Sequence, residues 1–433
     1  MQSELIQKLT TDLHEPLSKH EALVESDRCY FCHDAPCVTA CPTGIDIPLF
    51  IRQINTDNPH GSARTIFNEN IFGGMCARVC PTETLCEQAC VRTTAEERPV
   101  KIGELQRFAT DSLMSTGEQP YERKSPTNKS VAVVGAGPAG LSCAHRLALH
   151  GHKVTVFDAL PKSGGLNEYG IATYKTIDDF AQREVDYILS IGGIDVQNAK
   201  ALGKDFTLDS LKQEYDAVFL GIGLGDVNSA GLDAEDAGNV EDAVDFIARL
   251  RQAPNKADVG VGRHVVVIGG GMTAIDAAVQ SKLLGAEDVS VVYRRAQSQM
   301  NASRYEQELA QTNGVLLKTH LQPKKIISQA GAVTGVEFEY TEIRDDKLMG
   351  TGETTTINCD MVLMAIGQSL AEQARENNIS LSANRIEVDE HQRSSDAQIW
   401  AGGDCASNGE DLTVAAVQAG KLAAESIHEV LLS

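Results

Sequence analysis

The sequence is short of aromatic and basic residues, and it has no long apolar run. Aromatic residues make up 5% of the 433 residues, and only one is tryptophan. The 38 Lys and Arg are outnumbered by 60 Asp and Glu, which gives a formal net charge of −22. This excess of negative charge disfavours nucleic acid and anionic membranes as partners. No stretch approaches the length of a membrane span.

A secretory signal is also missing from the start of the sequence. Residues 1–23 contain no apolar core of the kind that a signal peptide needs. We therefore expect a cytoplasmic protein, in which disulfide bonds are disfavoured.

Cysteine is concentrated at one end of the chain, with eight of the eleven in the first ninety residues. Their spacing is Cys29-x2-Cys32-x4-Cys37-x3-Cys41-Pro42, then Cys76-x3-Cys80-Pro81 and Cys86-x3-Cys90. A fourth cysteine followed by proline is typical of bacterial ferredoxins, where that cysteine ligates the other cluster. The spacing predicts two iron–sulfur clusters with interleaved ligands. Structural zinc is the main alternative, although zinc ribbons have two C-x2-C knuckles and only Cys29/Cys32 forms one here.

The length and the pattern of the chain predict about three domains. The fold class is α/β, with an N-terminal helical iron–sulfur domain followed by two Rossmann-like nucleotide-binding domains, one inserted in the other. The predicted boundaries are 1–115 for the helical domain, 116–129 for a linker, 130–225 with 360–433 for an FAD domain, and 226–359 for an NAD(P)H domain.

A dinucleotide-binding fingerprint begins the α/β part. An apolar strand at 131–134 leads into Gly135-Ala-Gly137-Pro138-Ala139-Gly140, a helix to about His150, and a strand at 153–157 that ends at Asp158. The glycines allow a tight turn and a close approach of pyrophosphate, and the acid suits a ribose hydroxyl.

A second fingerprint lies within the first. A strand at 264–268 leads into Gly269-Gly270-Gly271-Met-Thr273, a helix to about Leu284, and a strand at 289–293 followed by Arg294 and Arg295. Two arginines in place of an acid favour a 2′-phosphate and hence NADPH, although the same pair is also compatible with a solvated face.

The C-terminal block contains further strand ends. Residues 217–223 and 360–367 are apolar strands that end in small residues, and 399–404 ends in Gly403-Asp404 before an apolar helix from about Thr413. Asp404 suits a ribityl hydroxyl, with a helix N-cap as the alternative. No redox C-x-x-C accompanies these motifs, which disfavours an activity like that of thioredoxin reductase.

These motifs together resemble a family of flavin-containing electron-input subunits. The family includes the small subunit of bacterial glutamate synthase and the flavin subunit of bacterial NAD-dependent dihydropyrimidine dehydrogenase. The resemblance covers nearly the whole chain and rests on Cys-His-Asp-Ala-Pro-Cys at 32–37, Met-Cys-Ala-Arg-Val-Cys-Pro-Thr-Glu at 75–83, Gly-Gly-Leu at 164–166 and Ala-Gly-Gly-Asp at 401–404.

The resemblance implies a set of ligands and binding residues. One [4Fe-4S] cluster would be held by Cys29, Cys32, Cys37 and Cys90, and the other by Cys41, Cys80, Cys86 and Gln106. Gln106 also lies on or beside an apolar helical stripe, and Cys76 is the alternative fourth ligand. The FAD residues would be the 135–140 loop, Asp158, Gly165, Leu166, Lys175, Gly403, Asp404 and Thr413. The nicotinamide residues would be Gly269, Gly270, Gly271, Thr273, Arg294, Arg295 and Arg304.

Two departures from the family pattern bear on these roles. Some relatives have arginine where this chain has Lys175. The dehydrogenase subunit commonly uses NADH, whereas Arg294 and Arg295 resemble NADPH users.

The implied function is that of half an enzyme. The chain would oxidise NAD(P)H through FAD and two [4Fe-4S] clusters, and feed an FMN- and iron–sulfur-containing catalytic subunit that reduces uracil or thymine, as a heterotetramer. A glutamate synthase small subunit is the alternative, and a non-enzymatic module that only holds clusters is a third hypothesis.

Overall fold

The structure is a computed structural model that describes residues 2–233, 237–371 and 379–433. The described chain divides into two compact units. The main unit comprises His14–Glu168, Asp179–Asp226 and Ser369–Ser433, and the insertion unit comprises Met1–Leu13, Tyr169–Asp178 and Val227–Gln368.

The helices vary widely in length, and the last is the longest of those described. In chain order they are α1 (Gln2–Lys8), α2 (Lys19–Asp27), α3 (Pro36–Thr39), α4 (Ile47–Asn55), α5 (Pro59–Glu69), α6 (Gly73–Val79), α7 (Val91–Glu96), α8 (Ile102–Met114), α9 (Pro138–Leu149), α10 (Leu166–Tyr169), α11 (Phe180–Leu189), α12 (Leu208–Glu214), α13 (Ala243–Gln252), α14 (Met272–Leu284), α15 (Arg304–Thr312) and α16 (Thr413–Leu432).

The strands are short except in one antiparallel sheet. They are β1 (Ser130–Val134), β2 (Lys153–Phe157), β3 (Ile194–Gln197), β4 (Ala217–Leu220), β5 (Asp226–Val227), β6 (Val240–Asp242), β7 (His264–Ile268), β8 (Asp288–Val292), β9 (Leu316–Lys318), β10 (Leu321–Gln329), β11 (Ala332–Arg344), β12 (Lys347–Asn358), β13 (Met361–Met364), β14 (Gln368–Ser369), β15 (Leu381–Ser382), β16 (Arg385–Ile386) and β17 (Ile399–Ala401).

The main unit combines a helical layer, α2 to α8, with a parallel sheet of order β17-β4-β1-β2-β3. Val131 of β1 pairs with Val154 of β2 and Ala217 of β4. Helices α9 and α16 pack together so closely that a Cβ at Gly420 would overlap the carbonyl oxygen of Ala139. This contact brings the end of the chain back to the first glycine loop.

The helical layer shares one compact unit with the parallel sheet. Phe50, Ile66 and Leu105 of the helices share one buried core with Val131 and Phe219 of the sheet. The predicted linker at 116–129 is also held in place, because the Lys124 N–H donates to the carbonyl of Leu149 (2.9 Å) and Arg123 donates to the carbonyls of Ala148 and His152 (3.1 Å each). Both layers have apolar surface, and each buries its face against the other.

The insertion unit contains a parallel sheet of order β6-β13-β7-β8-β9 and the antiparallel sheet β10-β11-β12. Strand β13 pairs with β6 and β7, so the apolar run at 360–367 belongs to this unit and the prediction that assigned it to the FAD domain was wrong.

The first residues of the chain also belong to the insertion unit, not to the helical layer. Leu9 is fully buried in the core of this unit, and Leu5 and Leu13 pack against that core. Leu5 lies in α1 and Leu9 directly follows it, whereas Leu13 lies beyond the helix, where its N–H donates to the carbonyl of Tyr174 (2.8 Å).

Candidate functional site

The first glycine loop forms the turn between β1 and α9. Gly135 has φ of +102°, and a Cβ there would overlap the carbonyl oxygen of Gly221. Gly137 precedes α9, no side chain caps the helix, and the one atom within 4 Å of a Cβ at Gly137 is the Cα of Gly165. The uncapped N–H groups and the space beside the two glycines fit the pyrophosphate of a dinucleotide.

Asp158 follows β2 and accepts a hydrogen bond from the backbone of this loop. One carboxylate oxygen accepts a hydrogen bond from the Ala136 N–H (2.6 Å) and the other accepts one from the Leu160 N–H (2.8 Å). Burial raises the pKa of Asp158 above its usual value. The carboxylate therefore already stabilises the turn, and its contact with a ribose stays a prediction.

The C-terminal motif lies beside the same loop. Gly403 has φ of +77°, and a Cβ there would approach the Cβ of Ala139 in α9 to 3.0 Å. The Asp404 carboxyl has no hydrogen-bond or ion-pair partner in the described part of the chain, and burial raises its pKa to about 6. The helix N-cap is Leu412 instead, so the N-cap alternative for Asp404 was wrong. An unpartnered, largely buried carboxyl at this position fits a hydroxyl donor of the flavin.

Leu166 and Thr413, two more predicted FAD residues, lie at the start of α10 and of α16. The Thr413 hydroxyl donates to the side-chain oxygen of Asn167 (2.9 Å). Asn167 is itself buried and its amide nitrogen has no partner in the described residues. The sequence analysis did not identify Asn167, although it directly follows the Gly-Gly-Leu motif.

The second glycine loop connects β7 to α14 in the insertion unit. Gly269 has φ of +150°, a Cβ at Gly270 would overlap the Tyr293 ring, and a Cβ at Gly271 would meet no atom within 4 Å. Gly271 precedes α14, whose first turn contains Thr273 and has no side-chain cap. This cradle fits the phosphates of a second nucleotide.

The three predicted nicotinamide arginines differ in their surroundings. Arg294 is exposed and Arg295 is half-buried, and neither guanidinium has an ion-pair partner among the described residues. Arg304 is exposed and pairs with Glu308 on the surface of α15 (2.8 Å). Arg294 and Arg295 are thus available to an anion, as a 2′-phosphate would require.

Lys175 is not placed with the other predicted FAD residues. It belongs to the insertion unit, where its ammonium group lies 2.7 Å from Asp276 and 3.0 Å from Glu306. The flavin role that the family pattern implied for it stays a prediction. The segment Tyr169–Asp178 packs with α14, and the sequence gives no sign of this contact.

Four of the N-terminal cysteines line one pocket in the main unit. They are Cys29, Cys32, Cys37 and Cys90, and the other walls are largely apolar, with Ile47, Ile51 and Ile102 among them. Burial, together with the neighbouring Cys29 and Cys90, raises the pKa of Cys37 to about 12. A buried thiol in an apolar pocket ionises with difficulty, and a bound metal stabilises its thiolate form. A group of such thiols therefore suits metal ligation.

The remaining N-terminal cysteines form a second group. A hydrogen bond with Cys76, then burial, then the neighbouring Cys86 and Cys41, raises the pKa of Cys80 well above its usual value. Gln106 lies on α8, which packs against α6, and its amide nitrogen donates to the carbonyl of Gly73 (2.7 Å). This bond leaves the amide oxygen as the atom for a metal. Cys76 contacts Cys80 of this group, and Gln106 contacts Gly73 at the start of the helix that carries Cys76, so the choice of fourth ligand stays a prediction.

All eleven cysteines lie within the described ranges, and none of them is in a disulfide bond. Across residues 2–233, 237–371 and 379–433, no three His, Cys, Asp or Glu side chains converge closely enough to bind a single metal ion.

Helix α6 is held at its start by a buried carboxyl that the sequence analysis missed. One oxygen of Glu184, from α11, accepts hydrogen bonds from the N–H groups of Gly74 (2.8 Å) and Met75 (3.0 Å). Burial raises the pKa of Glu184 to about 8. Because Gly73 holds Gln106, Glu184 stabilises the element that positions a candidate cluster ligand. The donor Gly74 and the acceptor Glu184 are 110 residues apart in the sequence, so the sequence alone does not predict this contact.

Comparison with known families identifies the nucleotide-binding part of the chain. The model of the pyridine nucleotide-disulphide oxidoreductases matches residues 129–420. The chain belongs to this family. Residues 6–118 match a second model, that of dihydropyrimidine dehydrogenase domain II with its 4Fe-4S cluster. The two matches confirm the α/β fold class and an NAD(P)H-dependent oxidoreductase with FAD, NAD(P) and [4Fe-4S] sites, and they rule out a purely non-enzymatic module.

Relatives with named functions extend over nearly the whole chain. The NAD-dependent dihydropyrimidine dehydrogenase subunit PreT of Salmonella typhimurium is 36% identical over 416 residues, which cover 95% of this chain and 94% of that protein. The small chain of NADPH glutamate synthase from Escherichia coli K12 is 33% identical over 446 residues, with 96% and 93% covered. The resemblance to electron-input subunits is thereby confirmed, and so is the expectation that this oxidoreductase is one subunit of a larger assembly.

Solved structures support the fold of the family. Thioredoxin reductase of T. acidophilum matches with a TM-score of 0.56 at 20% identity and covers 71% of this chain and all of its own. FprA of Mycobacterium tuberculosis matches with a TM-score of 0.59 at 16% identity, with 70% and 84% covered. No helix in the described residues is long and apolar enough to cross a membrane.

Proposed function

We propose that this chain is the electron-input subunit of a dihydropyrimidine dehydrogenase. It oxidises NAD(P)H and supplies a partner that reduces uracil or thymine to the 5,6-dihydro base. The observation that carries the proposal is the 36% identity with PreT, which extends over 95% of the chain. The pocket formed by Cys29, Cys32, Cys37 and Cys90 supports it.

The two glycine loops would divide the nucleotides between the two units. The loop from Gly135 to Gly140, with Gly165 and the start of α9, would bind the pyrophosphate of FAD, and Asp404 would accept a hydrogen bond from the flavin side chain. Gly269 to Gly271 and Thr273 would bind the nicotinamide nucleotide. When bound, FAD takes up a hydride and the clusters carry single electrons.

The cysteine groups would hold two [4Fe-4S] clusters. Their proposed ligands are Cys29, Cys32, Cys37 and Cys90 for one, and Cys41, Cys80, Cys86 and Gln106 for the other. Burial raises the pKa of Cys29, Cys37 and Cys86, and ligation to a cluster would stabilise their thiolate form.

Coenzyme preference follows from the unpaired arginines. Arg294 and Arg295 support NADPH, whereas the named PreT relatives are NAD-dependent. We propose NADPH on the basis of the free guanidinium groups. The partner would be an FMN- and iron–sulfur-containing subunit in a heterotetramer, and the cytoplasmic location stays a prediction.

The test compares the chain alone with the chain and its natural partner, both under anaerobic conditions. The chain alone should reduce ferricyanide with NAD(P)H and leave uracil unchanged, whereas the co-purified complex should produce dihydrouracil. Uracil reduction by the chain alone, or a complex that reduces no pyrimidine, would contradict the proposal.

The second candidate is a glutamate synthase small chain, favoured by the 33% identity over 96% of this chain and by the arginine pair. The same co-purification distinguishes the two. A partner that carries FMN and produces glutamate from 2-oxoglutarate and glutamine with NADPH would establish this second function.

A further inference from the structure

A buried ionic cluster lies in the insertion unit, and its members are not among the residues that the sequence placed in that nucleotide site. The ammonium group of Lys175 is 2.7 Å from the Asp276 carboxylate and 3.0 Å from the Glu306 carboxylate. The Tyr174 hydroxyl also donates to Asp276 (3.2 Å). Asp276 and Glu306 are both buried.

Burying charged groups costs free energy unless groups of opposite charge lie in direct contact. Burial acts to lower the pKa of Lys175, but the attraction of Asp276 and Glu306 outweighs it, so the pKa lies above its usual range. The lysine therefore stays charged and bridges the two carboxylates. Removing the ammonium group would leave two like charges side by side in the interior.

The bridge joins the helix ends that border the second glycine loop. Asp276 lies in the second turn of α14, which starts directly after Gly271, and Glu306 lies in the first turn of α15. The chain two residues before α15 is fixed to the loop as well, because the Ala302 N–H donates to the carbonyl of Gly270 (3.0 Å). Lys175 thus ties together both helices that frame the loop.

The segment that carries Lys175 is anchored on either side. The Thr173 N–H donates to the Gln280 side chain of α14 (3.0 Å), and Arg251 of α13 donates to the Ile171 carbonyl (2.9 Å) and the Thr176 hydroxyl (2.8 Å). A lysine on so firmly held a backbone is suited to fixing the distance between two helices.

We infer that Lys175 is a positioning residue for the nicotinamide nucleotide: with Asp276 and Glu306 it sets the spacing of α14 and α15 around the loop Gly269–Gly271. This inference rests on the proposed oxidation of NAD(P)H, and it assigns Lys175 to the nicotinamide site instead of the flavin. Loss of the bridge should weaken nucleotide binding at least about tenfold, because two buried carboxylates then push the helices apart or take up a proton.

The test measures the dissociation constants of NADP⁺ and NAD⁺ with the full, anaerobically purified chain, together with its FAD content and flavin spectrum. The variants are Lys175→Met, Lys175→Arg, Asp276→Asn and Glu306→Gln. Lys212→Met is the matched control, since Lys212 forms a 2.6 Å ion pair with Asp396 in the main unit. Asp276→Asn and Glu306→Gln each keep one pair to the lysine, so they decide the question if Lys175→Met does not fold.

We expect weaker nucleotide binding in Lys175→Met, Asp276→Asn and Glu306→Gln, substantial recovery in Lys175→Arg, and full FAD occupancy in all of them, with Lys212→Met like the wild type. Unchanged nucleotide affinity with loss of FAD or a shifted flavin spectrum would make Lys175 a flavin residue and overturn the inference. Unchanged nucleotide affinity and unchanged flavin would also overturn it, leaving a purely structural ion cluster. Because nucleotide binding is measured on the chain alone, a complex that fails to reduce uracil would refute the proposed function and leave this result intact.

Discussion

Glu184 offers a test of how the main unit holds its second group of cluster ligands. Its carboxyl accepts hydrogen bonds from the N–H groups of Gly74 and Met75 at the start of α6. Glu184→Leu would leave both buried donors unsatisfied, at about 1–3 kcal/mol each, so we expect a loss of about 2–6 kcal/mol in the stability of this region. Glu184→Gln keeps an oxygen at the same place and should lose much less.

The stability that Glu184 contributes should also depend on pH. The pKa of Glu184 is raised by burial to about 8, against a usual value of 4.5 for the unfolded chain. Between these values the folded state binds one proton more than the unfolded state, so stability falls as the pH rises, by at most about 1.4 kcal/mol per pH unit. Glu184→Gln lacks the titrating group and should be flatter across this range.

The assay is urea unfolding between pH 5 and 8, followed by the fluorescence of Trp400, the single tryptophan and a buried residue of the main unit. Iron content is measured alongside, because displacement of α6 should release Gln106 and the cluster at that site. The reasoning is refuted if wild type and Glu184→Gln depend on pH in parallel, or if Glu184→Leu keeps both its stability and its iron.

Two further predictions concern the candidate ligands. Gln106→Ala should perturb the spectroscopic signal of one cluster while Cys76→Ala leaves both intact; loss of about four irons in Cys76→Ala and of none in Gln106→Ala would reverse the ligand assignment. Arg294→Ala/Arg295→Ala should lower kcat/KM for NADPH about ten- to a hundredfold and change that for NADH little, since each charge-assisted bond to a 2′-phosphate contributes at best about 1.5–3 kcal/mol and less where exposed. A wild type that strongly prefers NADH, or equal losses with both coenzymes, would show that these arginines do not recognise the phosphate.

Local patterns in the sequence were sufficient for the nucleotide loops. An apolar run followed by glycines and a helix predicted β7 as His264–Ile268, and the apolar run between α9 and Asp158 predicted β2 as Lys153–Phe157, with the bounds that the structure has. The helical stripe that includes Gln106 predicted a side chain near the core, and Gln106 is buried. These features depend on neighbours within a few residues, which the sequence shows directly.

Contacts between distant segments were not predictable in the same way. Lys175 contacts Asp276 and Glu306, which follow it by more than a hundred residues, and the family pattern suggested a different role for it. The strand at Met361–Met364 has the same apolar character as strands of either sheet, so its composition does not tell which sheet it joins. Only the paired backbone decides that question.

The central claim is that the N-terminal cysteines hold two [4Fe-4S] clusters beside one flavin, and metal and flavin analysis of the anaerobically purified chain tests it most directly. The expected content is about eight irons, about eight acid-labile sulfides and one FAD per chain, with little zinc. Zinc with little iron would contradict the claim, and about four irons in a fully loaded preparation would show that only one of the two cysteine groups holds a cluster.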